Sequence, residues 1–399
     1  MIDFSPTRQQ LEIQGLARRF AREVLRPAEI ALDRIANPDE VFTSAIFRDV
    51  LAQAFELGFG KMGIREEFGG MGLDPLTTAL VWEELAVGGI GITATLLAAP
   101  VAPLFVSVLA PDRKDMIERF VRPYCEDDTG ALITAWGSSE GNIGSDGSNY
   151  HDPSVHHATR ATSDGGHWRI DGEKSSFVSN GGIADLFLVF ACVDPSKGIP
   201  GSGVFLVPLG EKVQRGNALD KIGMRALNQA AVAFDGARIP ADYMLVPPSE
   251  NYPMIHNAIK TVGNIGVGYL AVGLMRAAYE EALGYAKQRV QFGRPIVEHE
   301  AIGFRFFECF QAIEAARGLL WKASWTLAQS ALGDLKLSAA ARVFATNMAM
   351  KHTVEMVQVL GGYGISKEYG LEKYMRDAKL LQIMDATNEV MAIKAIAML

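Results

Sequence analysis

The chain has 399 residues, of which 49% are hydrophobic and 21% are charged. A chain with this much apolar sequence can bury a large core, so the composition excludes a mainly disordered protein, and the length indicates two or three domains. The net charge of −8 argues against nucleic acid as a main partner, because proteins that bind polyanions are usually basic.

The cysteines and histidines form no disulfide or metal pattern. Cys125, Cys192 and Cys309 are odd in number and widely spaced, which argues against a disulfide framework and a cysteine zinc site. The seven histidines fall in no strong metal-binding spacing, so we expect no metal. The N-terminus has no basic region followed by an apolar region, so we expect no signal peptide and a cytoplasmic location.

Residues 1–128 predict an N-terminal helical domain. Ser5-Pro6 is typical of a helix start. An apolar helix face follows at intervals of three or four residues, namely Ile13, Leu16, Phe20 and Val24.

An uncharged run at residues 85–111 is long enough to span a membrane. Pro100 and Pro103 interrupt it, and glycines stand near its start. Because proline and glycine break helices, the run indicates buried helices joined by a turn, and we expect no membrane partner.

Residues 129–247 predict a middle antiparallel β domain. Short apolar runs bounded by Gly, Pro or Asp occur at 186–193, 203–209 and 230–234. Asp164-Gly165 and Asp171-Gly172 are typical of hairpin turns.

Residues 248–399 predict a C-terminal helical bundle. Two apolar stripes recur at helical spacing, at Ile302, Phe306, Phe310, Ile313 and Leu320 and at Val343, Met350, Val354 and Val357. Gly361-Gly362 is a helix stop after the second stripe. The glycine-rich stretch 263–273 lacks the spacing of a Rossmann site and does not follow a strand, so it predicts close helix packing instead.

Four polar or glycine-rich segments occur in order, and each alone could be a structural loop. They are residues 133–146 (ITAWGSSEGNIGSD), 172–185 (GEKSSFVSNGGIAD), 289–296 (RVQFGRPI) and 358–387 (QVLGGYGISKEYGLEKYMRDAKLLQIMDAT). Together they resemble the acyl-CoA dehydrogenase family over nearly the whole chain. The resemblance implies an α+β fold with an N-terminal helical domain, a middle antiparallel β domain and a C-terminal four-helix bundle, in agreement with the periodicity.

The resemblance implies FAD as the cofactor, bound without a Rossmann unit. The implied FAD contacts are Trp136, Ser138, Ser139, Phe177, Ser179, Arg289, Gln291, Phe292, Gln358, Gly361, Gly362 and Thr387. The three at 289–292 match positions that reach the FAD of a neighbouring subunit, and those at 358–362 match the loop around the diphosphate and adenosine. Substrate contacts are implied at Ser145, Gly263 and Asn264.

The resemblance also implies a catalytic base at Asp385. The family removes a proton beside a thioester carbonyl with a glutamate that is followed by Gly-Thr, and the matching triplet here is Asp385-Ala386-Thr387. Aspartate keeps the carboxylate but is shorter by one carbon–carbon bond, about 1.5 Å. The competing interpretation is that Asp385 is a helix N-cap with no catalytic role.

Two departures from the family pattern predict the acyl group. A second branch of the family places its base where this chain has Gly263, so that route is closed. Gly263 and the short Asp385 together predict extra space beside the flavin. We therefore expect a branched, cyclic or otherwise bulky acyl group.

The leading prediction is an FAD-dependent acyl-CoA dehydrogenase, a homotetramer that passes electrons to an electron-transferring flavoprotein. Altered chemistry on the same scaffold is one alternative. Nitroalkane oxidases use an aspartate base but carry an arginine one or two turns later, which residues 388–393 lack. An enzyme that eliminates a sulfur group from an acyl-CoA, and a non-catalytic subunit of a mixed tetramer, are the others.

Overall fold

The computed structural model describes residues 5–330 and 332–399. Helices come first along the chain, a sheet follows, and long helices complete it. This is the order that the periodicity predicts.

Nine helices precede the first strand in the described chain. They are α1 Arg8–Phe20, α2 Arg26–Asp33, α3 Pro38–Thr43, α4 Ala45–Glu56, α5 Pro75–Gly88, α6 Ile90–Ala98, α7 Val101–Leu109, α8 Lys114–Met116 and α9 Arg122–Glu126. The prediction of a start at Ser5-Pro6 was wrong by two residues. Thr7 caps α1 instead, in a reciprocal capping box with Gln10.

The uncharged run forms three separate helices, as the breakers predict. Gly89 separates α5 from α6, and Pro100 separates α6 from α7. Two helical stretches, Ile90–Leu109 and Tyr252–Gln288, are long and apolar enough to cross a membrane, and 56% and 78% of their most apolar windows are buried inside the protein. Helices buried in a protein core can have this same length and hydropathy.

The middle region forms a sheet whose strands are ordered β6-β7-β3-β2-β4-β5-β8, with β1 added parallel to β4. Its strands are β1 Thr134–Gly137, β2 Arg160–Asp164, β3 His167–Ser179, β4 Leu186–Cys192, β5 Ser202–Pro208, β6 Val213–Arg215, β7 Gln229–Pro240 and β8 Met244–Val246. The pairings are antiparallel except β1–β4 and β2–β4.

One of the two predicted hairpin turns is real and the other is a bulge. Asp164 pairs with His167 around a tight turn of two glycines, as predicted. Asp171-Gly172 lies inside β3, where the register with β7 shifts, so the hairpin prediction there was wrong. A Cβ on Gly172 would overlap Thr159, which explains the glycine by close backbone approach.

Five helices form the C-terminal bundle. They are α10 Tyr252–Gln288, α11 Glu300–Gln329, α12 Leu335–Leu360, α13 Leu371–Leu381 and α14 Asn388–Ile396, with a two-residue hairpin, β9 Val290–Gln291 and β10 Arg294–Pro295, between α10 and α11. Helix α12 ends at the predicted stop, where Gly361 adopts a φ of +59°. The 37 residues of α10 span about 55 Å, so this helix touches both ends of the bundle.

The buried face of α12 differs from the predicted stripe. Val354 is exposed, whereas Ala341, Ala345 and Ala349 are fully buried. Small residues allow α12 to pack closely against α10. The predicted stripe was therefore displaced, because the helix uses small side chains rather than large ones at its main contact.

A buried ion network joins the first helical region to the bundle. Glu83 and Glu84 of α5 bind Arg276 of α10, and further arginines reach them from α1 and α11. Breaking one partner of a buried network leaves an uncompensated charge. The network therefore holds α10, and with it the site described next, in fixed relation to the N-terminal helices.

Candidate functional site

Asp385 lies in a strained loop between α13 and α14. Its φ is +54°, and the next residue, Ala386, has a φ of +86°. This left-handed region is uncommon for non-glycine residues and costs about 1–3 kcal/mol each time. Such strain persists only where surrounding contacts hold it, so the contacts of this loop matter.

The buried guanidinium of Arg342 on α12 holds the loop. It donates to the carbonyl oxygens of Met384, Asp385 (3.2 Å) and Ala386 (2.5 Å), and to Oδ1 of Asn264 at 3.0 Å. Burial lowers the pKa of this guanidinium from its ordinary value, and the nearby Asp385 opposes the change. The sequence analysis missed Arg342, although a lone charge on the apolar face of a helix is a visible signal.

Asn264 lies in the bundle interior rather than facing a ligand. Its Nδ2 is 3.3 Å from the Ser338 hydroxyl and its Oδ1 accepts from Arg342. The side chain is fully buried. The prediction of a substrate contact at Asn264 therefore needs correction, because both ends of the amide are engaged in supporting the loop.

Gly263 faces the carboxylate of Asp385. A Cβ on Gly263 would fall well inside van der Waals contact with Oδ2 of Asp385. The space predicted beside Gly263 is thus filled by the aspartate itself. The expectation of spare volume from this glycine was wrong, and the glycine instead makes room for the carboxylate.

Lys260 binds the same carboxylate. Its Nζ lies 2.6 Å from Oδ1 of Asp385 and 3.4 Å from the Asp385 carbonyl oxygen. The two side chains are 11% and 32% exposed, so the ion pair is partly shielded from water. Sequence analysis did not single out Lys260, because the two residues are far apart in the chain.

A hydrogen-bonded group connects the Ser145 loop to this region. Ser145 begins a short 3₁₀ turn, and five residues later the Tyr150 hydroxyl contacts Nδ1 of His256 at 2.5 Å and donates to Asn257 at 3.2 Å. Lys394 donates to the same hydroxyl at 3.1 Å. Burial, reinforced by Lys260, lowers the pKa of Lys394 to about 8.

The first two predicted segments lie against each other. The Ser175 amide donates to the Ser139 carbonyl at 3.0 Å, and the buried Lys174 binds Glu140 at 2.5 Å. Between Lys174 and Val178 the register of β3 with β7 shifts, and this bulge presents Phe177 with 65% of its surface exposed. Bulges of this kind often aim side chains into functional sites.

Aromatic contacts connect the sheet to the Asp385 region. Trp136 is half-buried, and its ring lies 4.6 Å from that of Phe190. The Phe190 ring is 6.2 Å from His256, which contacts Tyr150. His256 lies one helical turn before Lys260, which binds Asp385, so these contacts connect Trp136 to the Asp385 region at the N-terminal half of α10.

Hydroxyls line this region. Ser138, Ser139 and Ser179 are half-buried, and none of their hydroxyls has a hydrogen bond within residues 5–330 and 332–399. The buried Ser175 hydroxyl also has no partner in that part of the chain. The Thr387 hydroxyl accepts weakly from the Val390 amide as the cap of α14, at 3.5 Å, and also hydrogen-bonds the Glu389 carboxylate.

The remaining predicted residues form a second group at the far end of α10. Arg289 follows the helix, and its guanidinium lies 5.8 Å from the Tyr363 ring. Phe292, at the tip of the β9–β10 hairpin, is 96% exposed, and Gln291 beside it is exposed too. Gln358 is exposed on the last turn of α12, just before the turn that carries Tyr363. A Cβ on Gly361 or Gly362 in that turn would meet open space.

One chain does not bring the two groups together. From Gly263 to Arg289 the helix advances 26 residues, about 39 Å. The first group offers aromatic surfaces and free hydroxyls, which suit a flavin ring. The second offers an exposed guanidinium and open glycine backbone, which suit a diphosphate. The chemistry of the two groups thus suits the two ends of FAD.

Comparison with known proteins gives matches along nearly the whole chain. Residues 7–107, 135–237 and 260–398 match the models of the N-terminal, middle and C-terminal domains of acyl-CoA dehydrogenases. A short-chain-specific acyl-CoA dehydrogenase of Clostridium acetobutylicum is 32% identical over 98% of this chain and 97% of its own length.

Two further proteins of different names are similar to this chain. A cyclohex-1-ene-1-carbonyl-CoA dehydrogenase of Syntrophus aciditrophicus is 31% identical over 96% of this chain and 88% of its own. A chain from a solved structure of the electron transferring flavoprotein of Acidaminococcus fermentans is 30% identical, with a TM-score of 0.88 and full coverage of both chains.

Proposed function

Because this chain belongs to the acyl-CoA dehydrogenase family, and is thus an oxidoreductase that acts on acyl-CoA and uses FAD, we propose that Asp385 is its catalytic base. Asp385 takes the proton from the carbon next to the thioester carbonyl. Bound FAD supplies the acceptor for the hydride that leaves the adjacent carbon. The product is the α,β-unsaturated thioester.

The single observation that carries this proposal is the way Asp385 is held. A general base must lie within hydrogen-bond reach of the proton it removes. The Asp385 carboxylate is partly exposed in a loop whose strained backbone is fixed by Arg342. Thr387, not Asp385, caps α14, which argues against the N-cap interpretation of Asp385.

The rest of the site positions the reactants. Trp136 and Phe177 offer aromatic faces to the flavin ring, and Ser138, Ser139 and Ser179 offer hydroxyls that can donate to it. Hydrogen-bond donors fixed in advance stabilise negative charge that develops during a reaction. In this proposal Ser145, on the loop that leads to Tyr150, contacts the CoA portion of the substrate.

We propose that the acyl group is compact, and branched or cyclic near the thioester. Space beside Gly263 is not the reason, since Asp385 fills it. The support is the shortened base, which requires the reacting carbon to approach more closely, and the similarity to one relative named for a cyclic acyl-CoA and one named as short-chain specific.

The assembly in this proposal is a homotetramer that passes electrons to an electron-transferring flavoprotein. The separation of the two FAD-binding groups along α10 supports an active site shared between copies. So do the exposed phenylalanines of α11, namely Phe304, Phe307 and Phe310. The three cysteines are free and buried, which suits a cytoplasmic location.

An anaerobic titration of the purified protein tests the proposed reaction. The probes are butyryl-, isobutyryl-, cyclohexane-1-carbonyl- and octanoyl-CoA, and the readout is loss of the flavin absorbance. We expect isobutyryl- and cyclohexane-1-carbonyl-CoA to bleach the flavin with formation of the α,β-unsaturated product, butyryl-CoA to do so more slowly, and octanoyl-CoA to do so far more slowly.

Three results would oppose the proposal. A yellow protein that no thioester bleaches but a nitroalkane does would replace dehydrogenation with the nitroalkane oxidase alternative. Preference for octanoyl-CoA would leave the reaction intact and overturn the compact acyl group. A colourless protein that does not take up added FAD would indicate a non-catalytic subunit.

A further inference from the structure

We infer that Lys260 is a positioning residue for Asp385. Its ammonium fixes the orientation of the carboxylate, so that the carboxylate oxygens of the short aspartate side chain have one defined position. This inference rests on the proposed role of Asp385 as the base. It concerns a residue outside the four segments that carry the family resemblance.

One face of α10 lies against both oxygens of the carboxylate. Oδ1 binds the Lys260 ammonium at 2.6 Å, and Oδ2 lies against the backbone of Gly263. Residues three apart share a helix face, so Lys260 and Gly263 form a single receiving surface for the carboxylate. Lysine supplies the attraction and glycine supplies the room.

The other cations of the site do not perform this task. Arg342 donates to three backbone carbonyls of the loop and to Asn264, and therefore fixes the backbone but not the carboxylate. Lys394 donates to Tyr150 and Asn257. Lys260 is the cation that hydrogen-bonds the Asp385 carboxylate within residues 5–330 and 332–399.

The orientation of this carboxylate matters because the side chain is short. The carboxylate of an aspartate lies about 1.5 Å closer to the backbone than the carboxylate of a glutamate at the same position. A misplacement of about 1 Å costs on the order of a hundredfold in rate. The Asp385 side chain is already about a third exposed, so without the Lys260 ion pair it is free to rotate away from the site.

The rival interpretation is that Lys260 only ties α10 to the loop. A structural tie would change stability or FAD content, but not the chemical step itself. Measurements of proton removal and of the ion pair therefore distinguish the two interpretations. The two interpretations also differ in the effect of arginine, which keeps the charge at this position.

The first experiment compares Lys260→Met and Lys260→Arg with the wild-type holoenzyme. We expect Met to lower kcat by about 10- to 100-fold while KM stays within about threefold. With substrate deuterated beside the carbonyl, the isotope effect on flavin reduction should rise in Lys260→Met. Arginine should restore most of the rate.

A matched control is Lys212→Met. Lys212 forms an exposed ion pair with Asp235 at 3.0 Å in the middle domain. This substitution removes the same charge and should leave kcat and the isotope effect unchanged. An unchanged isotope effect in Lys260→Met, with only thermal stability reduced, would overturn the inference in favour of a structural tie.

The second experiment does not depend on turnover. Lysine acylation, followed by peptide mass spectrometry of the holoenzyme, measures the reactivity of each amine. We expect Lys260 to react slowly in the wild type and several-fold faster in Asp385→Ala, with Lys212 labelled equally in both. Equal labelling of Lys260 in the two proteins would contradict the ion pair. If no thioester bleaches the wild-type flavin, the proposed function fails while this labelling still reports on the pair.

Discussion

The Oδ2 atom of Asp385 occupies the space in which a side chain on Gly263 would begin. Gly263 lies on α10 and Asp385 in the loop between α13 and α14, 122 positions later in the chain. Their contact means that the glycine on α10 and the aspartate in the loop depend on each other. The short base and the missing side chain are two parts of one arrangement.

A methyl group at Gly263 should displace the base. In Gly263→Ala the new Cβ would overlap the Asp385 carboxylate, so we expect kcat to fall by about tenfold or more. Gly284→Ala is the matched control, since Gly284 lies on the same helix and a Cβ there meets open space. The control should keep full activity and gain about 0.5–1 kcal/mol of stability. Full activity in Gly263→Ala would contradict the contact.

Removal of the Arg342 guanidinium should loosen the loop. Arg342→Met leaves three carbonyl oxygens and Asn264 without their donor. Buried acceptors that lose a partner cost about 1–3 kcal/mol each, and part of this is recovered by solvation, so we expect the free energy of unfolding to fall by about 2–4 kcal/mol. Urea denaturation of the holoenzyme measures it.

Arg238→Met provides the comparison for Arg342. Arg238 forms an ion pair with Asp164 in which both side chains are mainly exposed. Exposed pairs contribute about 0–1 kcal/mol, so this variant should unfold close to the wild type. Equal urea midpoints for the two arginine variants would show that Arg342 does not hold the loop.

Acidification should destabilise the protein through His157. Burial, with Lys174 adding to it and Glu140 opposing it, lowers the pKa of His157 from 6.5 to about 3. His157 in the unfolded chain therefore binds a proton below pH 6.5, whereas in the folded protein it binds one only below about pH 3. The free energy of unfolding therefore falls as the pH falls from 6.5 to 3. Between pH 7 and 5 this group accounts for about 2 kcal/mol.

Unfolding in urea at pH 7 and at pH 5 checks the His157 prediction. His157→Gln should lose less stability across this interval than the wild type, by about 2 kcal/mol. His151→Gln, at an exposed histidine, should behave as the wild type does. The same acid sensitivity in all three proteins would assign the effect to other groups, such as the buried His256, whose pKa is also well below its ordinary value.

An exposed apolar face on α11 should be an interface between copies. Phe304, Phe307 and Phe310 lie on α11 with about half or more of their surface exposed. Phe307→Asp should yield smaller assemblies in light scattering after size-exclusion chromatography. It should also release FAD, because in the proposed assembly the second FAD-binding group comes from another copy. Leu11→Asp, on α1, is the control, and unchanged assembly in Phe307→Asp would remove this face from the interface.

Much of the fold could be predicted from sequence because it follows local signals. Proline and glycine divide the uncharged run into helices, apolar runs predict β4 and β5, and Gly361 ends α12. The prediction of a hairpin turn at Asp171-Gly172 was wrong, because a bulge inside a long strand can contain the same dipeptide as a hairpin turn. The α12 stripe misled because alanines carry its main contact.

The candidate site was only half accessible to sequence reasoning. Asp385 and Gly263 stand out by departure from the family pattern, but the purpose of the glycine depends on a contact that only three dimensions show. Lys260 reads as an ordinary helix lysine until the loop is placed over it. Arg342 was detectable as a charge among alanines, yet its partners are backbone carbonyls, which no sequence pattern marks.

The central claim is that Asp385 removes the proton, and the rate of flavin reduction in anaerobic rapid mixing tests it most directly. With a thioester that the wild type oxidises, Asp385→Asn should reduce flavin at least about a hundredfold more slowly, since a positioned base contributes 10²–10⁴-fold. Asp235→Asn, an exposed aspartate in the middle domain, should match the wild type. If Asp385→Asn, with FAD bound, reduces flavin within a few-fold of the wild-type rate, another group is the base and the account is wrong.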